Sequence, residues 1–512
     1  MNVFLLYQDR DFDPAQALSA NEQSLAQDLE LDTLLQAMAR EDQFILDVVR
    51  RVLLMGLRDP ECIRYRQGIL RDCLRNSAVV REIYALSVDA LQSKRDKHLG
   101  IFSRYPSGIL LSSIDMVQAY IVALRKLRSI AGEHAGRFES QGFKRLFAMI
   151  IQELDDDYFA TMERHLKTLR FRDGVLLSAH LGQGNEGADY VLRRPQPAER
   201  NWLKRLLPRR ASAYSFSLDV RDDHGARTLS ELRDRGLDLV ANAIAQSAEH
   251  IDHFFGALRA ELSFYIGALN LREELARLGE PISFPVPAAS GELVHSCVGL
   301  YDVCLSLTFG RKVVGNDLQA DHKQLVIVTG ANQGGKSTFV RGIGLAQLMM
   351  QCGLFVPAES YRANICPHIF SHYQRQEDAT MQSGRLDEEL GRMSEIISQI
   401  TPGDLLILNE SFAATNDREG SEIAGQVISA LLQRRVKVFF VTHLYEFAHH
   451  FYELALPEAA FLRAGRKADG ERTFKVTPGE PLPTSYGLDL YPRIFGEPSL
   501  PHGEPTPRGG ER

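Results

Sequence analysis

Tryptophan occurs once in this 512-residue chain and cysteine six times, and no uninterrupted apolar run reads as approaching the roughly 20 residues that span a bilayer. The N-terminus, MNVFLLYQDRDFD, has one short apolar patch, early acids and no basic lead, so it does not read as a secretory signal. Cys62, Cys73, Cys297, Cys304, Cys352 and Cys366 are scattered without metal-ligand spacing. That argues against a zinc module and suits reduced core thiols in a cytoplasmic protein. A basic excess is lacking too. The net charge of −7 weakens the case for bulk nucleic-acid binding, although a local basic stripe can still hold phosphates. What is present, 44% hydrophobic and 24% charged residues, is the balance of a globular protein, and the length calls for roughly two to four domains.

The first 170 or so residues read as helices. In LELDTLLQAMAREDQFILDVVRRVLLMGL, Leu31, Leu34, Leu35 and Met38 recur at helical spacing, and Asp59-Pro60 then breaks the pattern. SSIDMVQAYIVALRKLRSIA and FKRLFAMIIQELDDDYFATMERHLKTLR continue the theme. Between about Asp173 and Thr228 the texture changes to short strands, GVLLSAHLGQGNEGADYVLRR and SAYSFSLDV, around a basic insertion. From Leu229 to Leu275 a helical pattern without proline returns, about 70 Å long if unbroken. After ISFPVPAAS, the apolar runs QLVIVTG, DLLILNE and VKVFFVTH alternate with helices, the pattern of a parallel sheet covered on both faces. The expected organisation is multidomain α plus α/β. A helical part fills residues 1–288, a second domain 289–497, and a disordered tail 498–512.

Gly330 to Ser337 spells G-x-x-x-x-G-K-S, directly after the strand QLVIVT and before the helix FVRGIGLAQLMM. That context separates a phosphate-binding loop from a glycine turn that holds nothing. Gly330, Gly334 and Gly335 let the backbone turn tightly and aim N–H groups at phosphate oxygens. Lys336 is placed to neutralise the β- and γ-phosphates, Ser337 to ligate Mg²⁺, and the helix N-terminus adds its dipole. In LLILNES, Leu405 to Ser411, the apolar strand ends in Asn409 and Glu410. A strand-end acid orders the magnesium shell, and a following glutamate polarises the attacking water. Asparagine at 409 supplies an acceptor without charge, so weak Mg²⁺ binding and slow turnover are expected, with Glu410 kept as the base. His443, the last residue of VKVFFVTH and just past that strand, is positioned to sense the γ-phosphate; without the other motifs it would read as structural.

Taken together, GANQGGKSTF, LMMQCGLFVPAES, ELGRMSEIISQIT, NESFAATNDREGSEIA, VTHLYEF, TSYGLDL and the upstream VVGNDL resemble the MutS family of DNA mismatch-repair ATPases. The likeness is strong from Asn316 to Leu488 and weaker across the helical half, which is similar to the family's core and lever domains. Ala331 and Gln333 depart from the family's usual proline and methionine. The resemblance implies long lever helices followed by an ABC-type P-loop ATPase domain, with ATP and Mg²⁺ as cofactors and a homodimer with composite ATP sites. Asn332, Gly334, Gly335, Lys336, Ser337 and Thr338 would hold the triphosphate. The family's signature serine, which reaches the partner's nucleotide, falls at Gly384, with Ser383 one residue away and Arg385 a cationic alternative. Lys312, Val313 and Val314 stand where an adenine-stacking aromatic is expected, which leaves Phe474, beside Lys475, as the flat face. The family's mismatch-reading N-terminal domain, aromatic-x-Glu wedge and C-terminal helical appendage have no counterpart here, so direct mismatch reading is not expected.

RRPQPAERNWLKRLLPRR sits where the family carries its DNA clamp. Arg193, Arg194, Arg200, Lys204, Arg205, Arg209 and Arg210 face one acid, Glu199, and are candidates for phosphate contacts, with Trp202 stacking on a base. Two other readings stand beside it. One is a solvated loop with Trp202 and Leu206 packed inward. The other is a membrane-surface helix using Trp202, Leu203, Leu206 and Leu207. The expected function is an ATPase whose nucleotide state gates binding to DNA structures, without a membrane partner. A nucleotide-switched scaffold that binds a protein and barely hydrolyses is the alternative. No Leu-Ser-Gly-Gly-Gln signature supports a transporter ATPase.

Overall fold

The computed structural model describes residues 1–16, 21–98, 105–172, 174–194, 216–219, 221–375, 384–467 and 471–483. The helical run consists of α1 (Glu22–Asp28), α2 (Leu31–Ala39), α3 (Gln43–Met55), α4 (Pro60–Arg75), α5 (Ser77–His98), α6 (Pro106–His134), α7 (Gln141–Glu153) and α8 (Asp156–Leu169). The hairpin β1 (Leu176–Leu181) and β2 (Gly187–Arg193) follows, then α9 (Asp223–Leu278). From there the chain runs through β3 (Val286–Ala288), β4 (His295–Leu300), α10 (Val303–Phe309), β5 (Asn316–Gln319), β6 (Leu325–Gly330) and α11 (Lys336–Gln351). It continues with β7 (Ser360–Asn364), β8 (Ile369–Tyr373), α12 (Arg385–Gln399), β9 (Leu405–Asn409) and α13 (Asp417–Gln433). Last come β10 (Lys437–Val441), α14 (Tyr445–Glu453), β11 (Ala459–Arg466) and β12 (Arg472–Pro478).

Leu31, Leu34, Leu35 and Met38 are fully buried, as the helical spacing requires. The stretch that reads as one helix is nevertheless two. Arg40 and Glu41 take φ of 46° and 72°, and the Asp42 carboxylate starts α3 by accepting from the N–H of Phe44 and Ile45. Asp155 does the same for α8, accepting from Tyr158 N–H at 2.7 Å. Periodicity alone passes over such caps. α9 is longer than its sequence pattern, 56 residues, and begins inside the segment read as insertion. In SAYSFSLDV the described residues 216–219 form no strand, so among the described residues of this segment only the hairpin is strand.

Contacts divide the chain into two compact units: Met1–Phe12 with Asp72–Leu262, and Asp13–Arg71 with Ser263–Arg512, of which residues after 483 are not described. The division does not follow one cut at residue 288, because residues 13–71 and 263–288 cluster with the sheet-bearing unit.

The first unit is helices plus the hairpin. Its N-terminal segment is held by Glu261 of α9, whose carboxylate accepts from Leu5 N–H at 2.5 Å, Leu6 N–H at 3.0 Å and Phe12 N–H at 2.7 Å. Burial pushes the Glu261 carboxyl up to about 7 against those donors. Asp72 likewise accepts from Glu139 and Ser140 N–H, at 2.9 and 2.7 Å. α6 corrects the expectation that no segment is apolar enough to span a membrane. An 18-residue window within Pro106–Arg137 reaches a mean hydropathy of 1.5, sufficient by length and composition. Ile114, Val117, Ile121, Leu124 and Leu127 are buried along one stripe of it, the pattern of a core helix.

The second unit holds a six-stranded sheet in the order β12-β11-β6-β10-β9-β8, parallel at every pairing except β11 with β12. The three runs expected to be strands are β6, β10 and β9, side by side at its centre. Both faces are covered, which explains their unbroken apolar composition. Leu325, Ile327, Leu406, Leu408, Val438 and Phe440 share a core with Met393 of α12, Ile428 of α13 and Phe447 of α14. On the other face α11 lies so close that a Cβ on Gly344 would stand 2.7 Å from Ile407 Cδ1. A second sheet runs β3-β7-β4-β5.

Candidate functional site

β6 ends at Gly330 and α11 begins at Lys336, so the connecting loop emerges at the carboxyl edge of parallel strands, the usual ligand position in such sheets. Glycine is required at two places. Gly330 has φ of 104°, and a Cβ there would lie 2.9 Å from Ala464 N. Gly335 caps α11 at φ 88°. Lys336 is buried, and its Nζ donates to the carbonyls of Gly330 at 2.9 Å and Ala331 at 3.2 Å. Burial holds the Lys336 pKa below the ordinary lysine range; nearby Glu410 opposes this, and Arg472 adds to it.

The loop borders a cavity of about 910 Å³. Asn332, Gln333, Gly334, Gly335, Lys336, Ser337 and Thr338 form one end, with Glu410 and His443 also in the lining. Glu410 follows β9 with φ of 53°, and its N–H donates to Val441 O at 2.8 Å. Gln333 and Phe474, at φ of 57° and 56°, are also left-handed cavity residues. Non-glycine backbone of this kind gathers at functional sites because the surroundings must enforce it. Arg341 fixes α11, its Nε donating to the cavity residue Asp302 at 2.6 Å and its Nη1 pairing with Glu30.

The rest of the lining carries apolar and aromatic side chains, Tyr301, Leu305, Phe309, Val313, Val314 and Phe474, together with Asp302, Arg311, Lys312 and Asn316. Phe474 is held by Asn316, whose side-chain amide donates to Phe474 O at 3.2 Å and accepts from Val476 N–H at 2.7 Å. Phe474 is 49% exposed and Phe309 55%, so both rings present a face. The arrangement offers amide donors, a cation and hydroxyls at one end, flat apolar surfaces at the other, and a carboxylate with an imidazole along its lining.

The structure thus brings together Asn332, Gly334, Gly335, Lys336, Ser337, Thr338, Glu410, His443 and Phe474. Gly330 turns the loop behind them. Asn409 is not in the lining. It ends β9 with its amide oxygen buried and without a hydrogen-bond partner among the described residues, an acceptor that fits a metal-bound water. A serine hydroxyl with a neutral amide suits an Mg²⁺ that takes its other ligands from phosphate and water. Gly384 caps the start of α12 and Arg385 is its first residue, neither in the cavity, while Ser383 lies outside the described residues. Arg193 ends β2, its Nε donating to Ser178 Oγ at 2.8 Å, and Arg194 is exposed. Arg200, Trp202, Lys204, Arg205, Arg209 and Arg210 fall outside the described residues. Among the residues that escaped sequence reasoning are Tyr301 and Phe309, aromatics of the wall, and Arg472, the cation near Lys336. A signal for Phe309 existed in TFGRK, a helix end marked by Gly310; none marked Arg472.

Among the described residues no cysteine pairs with another, five of the six being buried and Cys62 half-buried, and no cluster of three or more His, Cys, Asp or Glu could hold a metal.

Comparison with known proteins agrees with this architecture. The model of the MutS2 N-terminal domain matches residues 58–278, and that of MutS domain V matches residues 326–496. The DNA mismatch repair protein MutS of Thermotoga maritima is 32% identical over 194 residues, 37% of this chain and 24% of that protein. Its counterpart from Thermus aquaticus is 34% identical over 180 residues, 35% of this chain and 22% of that protein. The DNA mismatch repair protein msh3 of Aspergillus niger is 32% identical over 181 residues, 34% and 16% of the two chains. The matched region therefore spans less than a quarter of each of these relatives. With one family model on the helical half and another on the sheet-bearing half, the chain belongs to the MutS family.

Proposed function

We propose that this protein binds and hydrolyses ATP at the 910 Å³ cavity, and that the nucleotide state gates its binding to DNA. One observation carries the reading: Lys336 and Ser337, Glu410, His443 and Phe474 come from four separate segments and line one cavity. The loop amides and Lys336 hold the phosphates, and Phe474 with Phe309 sandwiches or edges the base. Glu410 accepts a proton from water as its oxygen attacks the γ-phosphorus. The bond from that phosphorus to the β–γ bridging oxygen breaks, giving ADP and phosphate. His443 reports γ-phosphate occupancy. Mg²⁺, held by Ser337 and through water by Asn409, would neutralise phosphate charge. The neutral Asn409 favours slow turnover.

The exposed Arg193 and Arg194, and relatives named for DNA mismatch repair, support the DNA half. Contacts to the backbone would make it structure-selective rather than sequence-selective. A homodimer would place Gly384 and Arg385, at the start of α12, against the partner's nucleotide. Six cysteines without a disulfide among the described residues favour a reducing, cytoplasmic compartment. ATPase rates with and without branched, mismatched and plain duplex DNA test the whole. Stimulation by one DNA class is expected, and no DNA binding at low salt in any nucleotide state would remove the DNA half.

Asn409 also favours a second reading, a nucleotide-switched scaffold that barely hydrolyses. Single-turnover hydrolysis separates the two, because Glu410→Gln changes nothing if there is no catalysis.

A further inference from the structure

Glu280 lies outside the nucleotide cavity, yet it connects one wall of that cavity to the end of α9. The helix terminates in a paired turn. Gly279, at φ 73°, donates its N–H to Ala276 O at 3.1 Å, and Glu280 donates to Leu275 O at 3.0 Å. The position of Glu280 is therefore set by the last turn of the helix. Its side chain is buried, 5% exposed, and Oε1 accepts from the Ser306 hydroxyl at 2.9 Å and from Val313 N–H at 2.8 Å. Ser306 belongs to α10, which ends at Phe309, and its hydroxyl also lies 3.1 Å from Arg311 O. Phe309, Arg311, Lys312, Val313 and Val314 all line the cavity. One carboxylate oxygen thus fastens both the helix and the loop that build the base-contacting wall.

The other oxygen, Oε2, and the Tyr301 hydroxyl are buried without a hydrogen-bond partner among the described residues. Both residues border a smaller cavity of about 330 Å³, whose wall of Tyr301, Lys312 and Val313 is shared with the nucleotide cavity. The carboxylate has space there to re-seat if the 311–314 segment shifts. A buried carboxyl oxygen that accepts from both Ser306 and Val313 ties two segments together, which an apolar side chain of the same size could not do.

We propose that Glu280 is a positioning residue that orders the base-contacting wall and transmits base occupancy to the last turn of α9. The inference rests on the nucleotide reading of the cavity and adds to it a specific mechanical link. Because the link is thermodynamic it works in both directions: ATP protects the helix end, and loosening the helix end weakens ATP.

The test uses the full chain as wild type, Glu280→Ala, Glu280→Gln, Ser306→Ala and Lys336→Ala, with ATP titrations and hydrogen exchange at the amides of Gly279 and Glu280. Glu280→Ala is expected to weaken ATP about tenfold, while Glu280→Gln, whose amide oxygen can accept both bonds, stays within about threefold of wild type. ATP should slow exchange at the two amides in the wild type and the glutamine variant but not in the alanine variant. If Glu280→Ala does not fold, Ser306→Ala removes one of the two donors and should show the same changes at reduced size. Wild-type ATP affinity and wild-type protection in Glu280→Ala, or in Ser306→Ala where that is the variant that folds, would overturn the proposal. So would ATP binding to the wild type without any change at the two amides. Lys336→Ala separates the readings: if it loses ATP while Glu280→Ala does not, only the link fails. No ATP binding by the wild type would sink the nucleotide reading and the link together.

Discussion

At the phosphate end of the cavity, consecutive residues from Gly330 to Thr338 supply the loop, the cation, the hydroxyls and the helix terminus. At the base end Tyr301, Phe309, Val313 and Val314 come from the 301–314 stretch and Phe474 from far along the chain, held by Asn316 and by Glu280 at the end of α9. The first end is a local object, fixed by glycine conformations and one strand–helix junction. The second exists only after the unit has folded, and it is held by two hydrogen bonds each at Asn316 and Glu280. Loss of one group should therefore be severe and specific at the phosphate end, and graded at the base end.

The largest effect is expected from Glu410→Gln, which should lower single-turnover hydrolysis by roughly 10²- to 10⁴-fold while ATP binding stays near wild type. Equal rates would favour the scaffold reading. Lys336→Ala should cost about 100-fold in ATP affinity, measured by titration, because it deletes the charge-assisted contacts to phosphate. Since burial already holds the Lys336 pKa below the ordinary lysine range, ATP affinity should also fall on the alkaline side sooner than a free lysine would dictate. Phe474→Ala should weaken ATP only about tenfold, the scale of one lost stacking partner, and inorganic triphosphate not at all. A drop in triphosphate binding of the same size would break the distinction between the two ends.

Glu261→Gln, in the other unit, should leave ATP binding unchanged but alter stability. The folded-state carboxyl sits at about 7, raised from 4.5, so the folded protein holds the proton more tightly than the unfolded chain. Stability from this group is full below about 4.5 and is lost as pH rises through about 7, on the order of 3 kcal/mol in all. Thermal melts from pH 5 to 8 should show this slope in the wild type and lose it in the variant.

How much of this was legible in the sequence follows the same contrast. Gly330 to Ser337, Glu410 and His443 were readable because each lies at a strand end, and a short apolar run announces the strand. Phe474 could be reached only through resemblance. Phe309 was passed over because the search for an aromatic stayed next to Asn316, whereas the chain folds back from α10. Arg472 is visible only through β12 pairing beside β11, a tertiary fact. The clustering of residues 13–71 with the sheet was equally hidden, since amphipathic spacing says which face of α2 is buried but not against what. The break at Arg40 and Glu41 and the early start of α9 were missed because both depend on backbone caps rather than on hydrophobic period.

The central claim, that this cavity takes ATP with its phosphates on the loop and its base on the aromatic wall, is tested most directly by a crystal structure of the wild-type chain grown with a non-hydrolysable ATP analogue and Mg²⁺. The account predicts phosphate oxygens against the amides of residues 334–338 and Lys336, with the adenine against Phe474 on the Phe309 side. An analogue bound elsewhere, or a cavity that stays free of nucleotide at saturating concentration, would contradict it.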